Sequence, residues 1–189
     1  MTTLKILVID DKTEHRASAE ELKVAGHEVT ICGSYDKALD LLEEEIVIGD
    51  GGVTKSQVHY DLVLTDLLLP AGRYRQGGEG ERLVGQEMPL GMNLALLAAV
   101  RGVPTTIVVS DKDHHSHPAS AALDYLGGTF VPHEGERLER RIADSWLTVN
   151  GCRVRFLNTF GMKVVDPSKS YEEWVWVKDW LAIVNTFVL

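Results

Sequence analysis

The chain has 189 residues, of which 44% are hydrophobic and 25% are charged, a composition typical of folded globular proteins and unlike that of disordered ones. The 19 basic and 28 acidic residues give a formal net charge of −9, which argues against broad binding to the phosphate backbone of nucleic acids. With only two cysteines, the chain has neither a disulfide framework nor a cysteine-based zinc site.

Strand and helix patterns alternate through most of the chain. Residues 4–9 are a continuous apolar run with one lysine, which predicts a strand buried on both faces rather than a signal peptide. The apolar stretch over 180–189 is too short to span a bilayer. The elements predicted after it are a helix over 13–25, a strand over 27–32, a helix over 34–45, strands over 60–65 and 105–109 flanking a helix over 93–101, a helix over 118–126, a strand over 129–131 and a helix over 136–149. This order predicts an α/β fold with a parallel sheet and helices on both faces.

Two polar segments interrupt this alternation. Residues 48–59 form a glycine-containing connection, and residues 71–90 form a longer glycine-rich insertion. Loops of such length in a compact domain are typically functional or mobile. The insertion is not a phosphate-binding P-loop, because its glycines are not followed by the Gly-Lys-Ser/Thr ending.

The last forty residues differ in character, and we divide the chain into a domain over 1–149 and an extension over 150–189. Residues 152–156 and 162–165 predict a hairpin, and Ser170 with Glu173 fits a capping box. After the box, apolar residues at helical spacing predict a helix; they are Trp174, Val177, Leu181, Val184 and Val188. We expect this helix to dock on its own sheet domain or to pair with a second copy of the chain.

Polar residues end three of the predicted strands: Asp10 and Asp11 the first, Asp66 the strand over 60–65, and Ser110 the strand over 105–109. Since ligands bind beyond the carboxyl ends of parallel strands, we expect these side chains to meet at one edge. Three clustered carboxylates suit Mg²⁺, which could screen a phosphoryl group while one carboxylate attacks it. Alternatively, the aspartates only cap a helix and form a turn.

Three stretches carry a resemblance to the receiver domain of response regulators: KILVIDD at 5–11, YDLVLTDLLLP at 60–70 and GVPTTIVVSD at 102–111. The resemblance implies a flavodoxin-like, doubly wound sheet of five parallel strands in the order 2-1-3-4-5, extended here by the C-terminal hairpin and helix. It also implies transfer of a phosphoryl group from a histidine kinase or phosphotransfer protein to Asp66.

The same resemblance implies a role for each site residue. Asp11 would bind Mg²⁺ directly and Asp10 through water, and the backbone carbonyl of Leu68 would complete the protein ligands along with Asp66. Ser110 would donate a hydrogen bond to the phosphoryl group.

The chain departs from the receiver pattern at the lysine that should precede a proline after strand five. Val131 and Pro132 stand there, and a shift of register brings His133 instead. Loss of this cation would weaken stabilisation of the transferred phosphoryl group. Lys112 is a possible substitute.

We therefore expect a stand-alone receiver-type protein in the cytoplasm that is phosphorylated on Asp66 with Mg²⁺ and acts on a downstream protein target. It would have no nucleic-acid or membrane partner, and a homodimer through the C-terminal helix is possible. One alternative is a degenerate receiver that is a pure interaction module. Another is a metal-dependent enzyme on the same fold that uses the aspartates with His114, His115 and His117, since imidazoles favour Zn²⁺ or Fe²⁺.

Overall fold

The computed structural model of the protein describes residues 2–43, 45–49, 52–56, 60–73, 78–112, 117–123, 144–158 and 162–188. The strands are β1 Lys5–Ile9, β2 Glu28–Cys32, β3 Glu45–Gly49, β4 Gly52–Ser56, β5 Leu62–Asp66, β6 Leu69–Pro70, β7 Glu87–Met88, β8 Thr105–Ser110, β9 Asp144–Val149, β10 Cys152–Asn158, β11 Met162–Val164 and β12 Trp176–Lys178. The helices are α1 Thr13–Ser18, α2 Glu20–Val24, α3 Tyr35–Leu42, α4 Leu90–Val100, α5 Pro118–Leu123 and α6 Trp180–Phe187, with 3-10 turns at Gly78–Leu83 and Tyr171–Glu173.

A six-stranded sheet in the order β2-β1-β5-β8-β10-β9 forms the centre of the molecule. Its strands run parallel except for β9, which is antiparallel to β10. The α/β class and the mostly parallel sheet are confirmed. The predicted count of five strands and the order 2-1-3-4-5 are wrong, because β10 and the antiparallel β9 follow β8 at one edge.

The edge formed by β9 and β10 corrects the prediction for residues 136–149. A helix was expected there, but residues 144–149 form β9; residues 136–143, and the predicted strand over 129–131, lie outside the described residues. Asn150 and Gly151 join β9 to β10, with φ values of 51° and 79°. An Asn-Gly pair with positive φ at both residues makes a tight hairpin turn, and the β-branched residues of β9 suit a strand.

The C-terminal extension also pairs differently from the prediction. Strand β10 joins the central sheet, and β11 pairs with β12, so the predicted hairpin between residues 152–156 and 162–165 is wrong. The capping box at Ser170 closes only a 3-10 turn, after which the chain extends as β12. Helix α6 begins later because the Asp179 side chain accepts the Ala182 amide at 3.0 Å and caps it there.

Short strands border or enter the two segments predicted as loops. Strands β3 and β4 form an antiparallel hairpin across the first, and β3 begins at Glu45, which was assigned to the preceding helix. Strand β6, just before the second segment, pairs with β7 inside it, which brings the two ends of the insertion together next to β5. Residues 74–77 of the insertion lie outside the described residues. The pairing places the start of α4 directly beside the end of β5.

Helices cover both faces of the sheet. On one face, Trp180, Ile183 and Val184 of α6 pack with α2 against apolar side chains of the central strands. On the other, α3 and α4 pack against Leu7 and Ile9 of β1. The extension thus completes one half of the core. Among the described helices, none has the length and apolar character required to cross a membrane.

Candidate functional site

The structure brings three aspartates together at the carboxyl edge of the sheet. Asp10 and Asp11 follow β1, and Asp66 ends β5, the parallel neighbour of β1. Each contributes a carboxylate oxygen, and these oxygens all lie within 4.8 Å of one another. Asp10 and Asp66 are buried, whereas Asp11 is partly exposed.

A lysine from the C-terminal extension lies in the middle of this cluster. The Nζ atom of Lys178, at the end of β12, is 2.7 Å from Asp10 Oδ2 and 2.7 Å from Asp66 Oδ1. The Lys178 side chain is fully buried, and its ammonium lies 5.4 Å from the centre of the Trp180 ring. A lysine is almost never fully buried unless it is paired, and here one ammonium is shared by two buried carboxylates.

Two hydrogen bonds with helix α1 hold the segment around Lys178 in place. Ser18 Oγ donates to the Lys178 carbonyl oxygen at 2.5 Å, and Trp180 Nε1 donates to the His15 carbonyl oxygen at 2.9 Å. His15 is itself buried, with Nδ1 3.1 Å from Asp10 Oδ2. Lys178 and His15 therefore meet at the same oxygen of Asp10.

Burial and neighbouring charges set the pKa values of the three carboxyl groups in different directions. Burial raises the pKa of Asp66 to about 6, because burial and the negative charge of the nearby Asp10 together outweigh the opposing effect of the Lys178 ammonium. Burial also opposes ionisation of Asp10, but Lys178 and His15 prevail and lower its pKa. The pKa of Asp11 is raised by partial burial and by the charge of Asp10. Asp66 is therefore largely ionised at neutral pH.

The carboxylates fit a hard divalent cation such as Mg²⁺. Within the described part of the chain, Asp11 Oδ1 is buried and accepts no hydrogen bond, and one of the Asp11 carboxylate oxygens lies within 4.8 Å of an oxygen of each of the other two aspartates. Three carboxylates with one ammonium leave two negative charges at the edge of the sheet. Oxygen donors with excess negative charge are what Mg²⁺ binds. Asp11 is the residue best placed to contact it directly.

The structure describes Ser110, Leu68 and His117 among the other residues predicted for the site. Ser110 is buried at the end of β8, where its Oγ lies 3.1 Å from Ser120 Oγ and accepts the Lys112 amide at 3.1 Å. Leu68 is buried just beyond β5. His117 accepts the Ala119 amide at 3.1 Å through Nδ1, at the start of α5. The candidates His114, His115, Val131, Pro132 and His133 lie outside the described residues.

Lys178, the cation that pairs with both Asp10 and Asp66, was not predicted from the sequence. Its signal is the segment from Trp174 to Ile183, an apolar run whose only charged residues are Lys178 and Asp179. A charged residue in such a run is buried with a partner or lies at the end of an element. We assigned the run to one helix, on whose surface a lysine is unremarkable.

No protein-family model matches the chain, and no curated protein sequence is detectably similar to it. The function is therefore inferred from the side chains that meet at this edge of the sheet.

Proposed function

We propose that the protein is a receiver-type signalling protein of flavodoxin-like fold, which accepts a phosphoryl group on Asp66 with the help of Mg²⁺ and signals through protein contacts. The observation that carries this proposal is the position of Lys178 Nζ, 2.7 Å from both Asp10 and Asp66. The receiver pattern requires a lysine beside the phosphoacceptor. Lys178 supplies that cation, and Lys112 is not needed as a substitute.

The proposed reaction is an in-line transfer to a carboxylate. An oxygen of Asp66 forms a bond to phosphorus, and the bond from phosphorus to the donor's leaving atom breaks, with its electron pair remaining on the donor. The donor is a histidine kinase or a phosphotransfer protein, and the leaving atom is then an imidazole nitrogen. The product is an acyl phosphate on Asp66, which a downstream protein target reads.

Each neighbouring group would offset charge on the transferred phosphoryl group. Asp10 and Asp11, with Asp66 and the backbone carbonyl of Leu68, would hold Mg²⁺, which supplies a positive charge at the phosphoryl oxygens. Lys178 would pair with a phosphoryl oxygen from the buried side. Ser110 would turn from Ser120 to donate a hydrogen bond to the phosphoryl group.

A second candidate function is favoured by how deeply the site is buried. The Asp10 and Lys178 residues are 0% exposed and Asp66 is 1% exposed, so Lys178 could be a permanent counter-charge. The protein would then be an interaction module that is never phosphorylated. The third hypothesis, a metal-dependent enzyme, depends on His114, His115 and His117, and only His117 lies among the described residues.

Treatment of the purified protein with acetyl phosphate and Mg²⁺ tests the proposal. We expect a mass increase of one phosphoryl group that is removed by hydroxylamine, as for an acyl phosphate. Asp66→Asn should abolish the increase, whereas Asp61→Asn, at the opposite end of β5, should retain it. Lys178→Met should reduce it severely. Absence of labelling in the parent protein at every Mg²⁺ concentration would overturn the proposal and favour the interaction module.

A further inference from the structure

An ion pair joins the loops on either side of Asp66. Lys12, just after β1, forms a short contact through Nζ with Asp111 Oδ2, just after β8. The side chains are 28% and 15% exposed, whereas that of Asp66 is 2% exposed. The pair is thus partly in contact with solvent, and Asp66 is not.

The order of the strands places this ion pair across the end of β5. In the sheet, β5 lies between β1 and β8, and all three run parallel. Side chains that meet from beyond the ends of β1 and β8 must span two strand spacings, about 10 Å, over the carboxyl end of β5. Asp66 is the residue at that end.

Backbone contacts fix the Lys12 side of the pair. The Lys12 amide donates to Asp10 Oδ1 at 2.9 Å, and Arg16 Nη1 donates to the Asp10 and Asp11 carbonyl oxygens at 2.8 and 2.6 Å. Because the backbone is held, the ion pair can open by rotation of the long Lys12 side chain alone.

We propose that the Lys12–Asp111 ion pair is a latch that closes the site over Asp66 and limits access of reagents and phosphoryl donors to it. Its role in donor access rests on the proposed function, whereas the closure itself does not. When the latch opens, the Asp66 carboxylate becomes reachable from the carboxyl edge of the sheet, while Lys178 remains in place on the buried side.

A thiol introduced by Asp66→Cys tests the closure without phosphorylation. We expect its reaction with uncharged N-ethylmaleimide to accelerate about fivefold when either Lys12→Met or Asp111→Asn is added, equivalent to about 1 kcal/mol. The same variants without Asp66→Cys give the background from Cys32 and Cys152, which are buried. Glu21→Gln, which breaks the Lys163–Glu21 ion pair elsewhere on the surface, is the matched control and should leave the rate unchanged.

The two latch substitutions change the local charge in opposite directions. Removal of Asp111 favours the reactive thiolate, and removal of Lys12 disfavours it, so an effect of charge alone would accelerate one variant and slow the other. Acceleration in both supports the latch; opposite effects, or none, would overturn it. Added NaCl screens ion pairs without any substitution, and we expect it to accelerate the reaction only where the latch is intact.

Phosphorylation of the protein with Asp66 intact separates this inference from the proposed function. If acetyl phosphate labels Asp66, we expect Lys12→Met and Asp111→Asn to label faster than Glu21→Gln. If the introduced thiol is exposed by both substitutions but no variant is ever phosphorylated, the latch stands and the phosphoacceptor function is wrong. If Asp66 is labelled at the same rate in every variant, the latch has no role in donor access.

Discussion

The ammonium of Lys178 lies between carboxylates that come from the first and third strands of the parallel core, 168 positions away along the chain in the case of Asp10. Desolvation of each ion costs several kcal/mol, which the pairing offsets only while all partners are present. Removing the lysine would take away the cation that both buried carboxylates contact and would leave Asp10 its contact with His15. The charge of one side chain therefore affects both the stability of the fold and the chemistry of the site.

We predict that Lys178→Met lowers the free energy of unfolding by about 3–5 kcal/mol at a pH well above the Asp66 pKa. Burial already raises the Asp66 pKa to about 6 with the lysine present. Without the lysine this pKa rises further, so Asp66 in the variant takes up a proton above pH 6, which removes the uncompensated charge, and the loss should shrink as the pH falls towards 6. Urea denaturation of the parent and the variant, near pH 6 and again well above it, measures the loss of stability in each condition.

Lys163→Met is the control for this substitution. Lys163 makes ion pairs with Glu21 and Asp179, but its side chain is 29% exposed, so its removal should cost about 0–1 kcal/mol. If the two variants lost equal stability, Lys178 would not be the buried counter-charge that the geometry indicates.

At the scale of elements, α4 is placed against the end of β5 by a glycine. The Gly91 amide donates to the Leu67 carbonyl oxygen at 3.0 Å, and a Cβ atom at Gly91 would collide with the Asp66 carbonyl oxygen. Only a residue without a side chain permits this approach. The first turn of α4 thereby helps to fix the backbone of Asp66.

We predict that Gly91→Ala destabilises the fold by about 1–3 kcal/mol and reduces phosphorylation of Asp66, because α4 and the end of β5 must separate. Gly72→Ala is the comparison, since the nearest atoms to a Cβ there belong to the Asp36 side chain, which can rotate away at the cost of the hydrogen bond that it accepts from the Arg73 amide. Thermal unfolding and acetyl phosphate labelling measure the two effects. An equal response in both variants would contradict the role assigned to Gly91.

Some elements of the fold could be predicted from the sequence, and others could not. The edge at which Asp10, Asp11 and Asp66 meet could be predicted, because continuous apolar runs and the parallel-strand rule need only local signals. The extension could not, because a short continuous apolar run such as residues 174–177 suits a strand as well as a helix. Asp179, a capping residue immediately before Trp180, was the local signal for the true helix start.

At the scale of the whole molecule, the chain carries a formal net charge of −9, and the carboxylate cluster concentrates part of it at one edge of the sheet. Such a potential concentrates cations there. A ligand that binds only the folded state raises its stability in proportion to the logarithm of ligand concentration over Kd. Binding of Mg²⁺ should therefore be detectable as stabilisation, independently of phosphorylation.

We predict that Mg²⁺ raises the unfolding temperature more than NaCl of equal ionic strength does. Asp11→Asn should remove the difference, because it deletes the carboxylate best placed to contact the ion while leaving the Lys178 pairs intact. Asp40→Asn, which removes an exposed carboxylate from α3, should retain it. A Mg²⁺ effect no larger than that of NaCl would show that the cluster does not bind the ion in the unphosphorylated protein.

The distance along the chain between Asp10 and Lys178 has a consequence for biosynthesis. While a ribosome is still translating the C-terminal segment, β1 and β5 have already emerged from the exit tunnel. Lys178, whose ammonium pairs with their aspartates, has not yet emerged. Domains fold as synthesis proceeds, at about 5–20 residues per second. The aspartates of the nascent sheet therefore stay hydrated until β12 and α6 emerge. Packing of this edge of the sheet is accordingly a late step in folding.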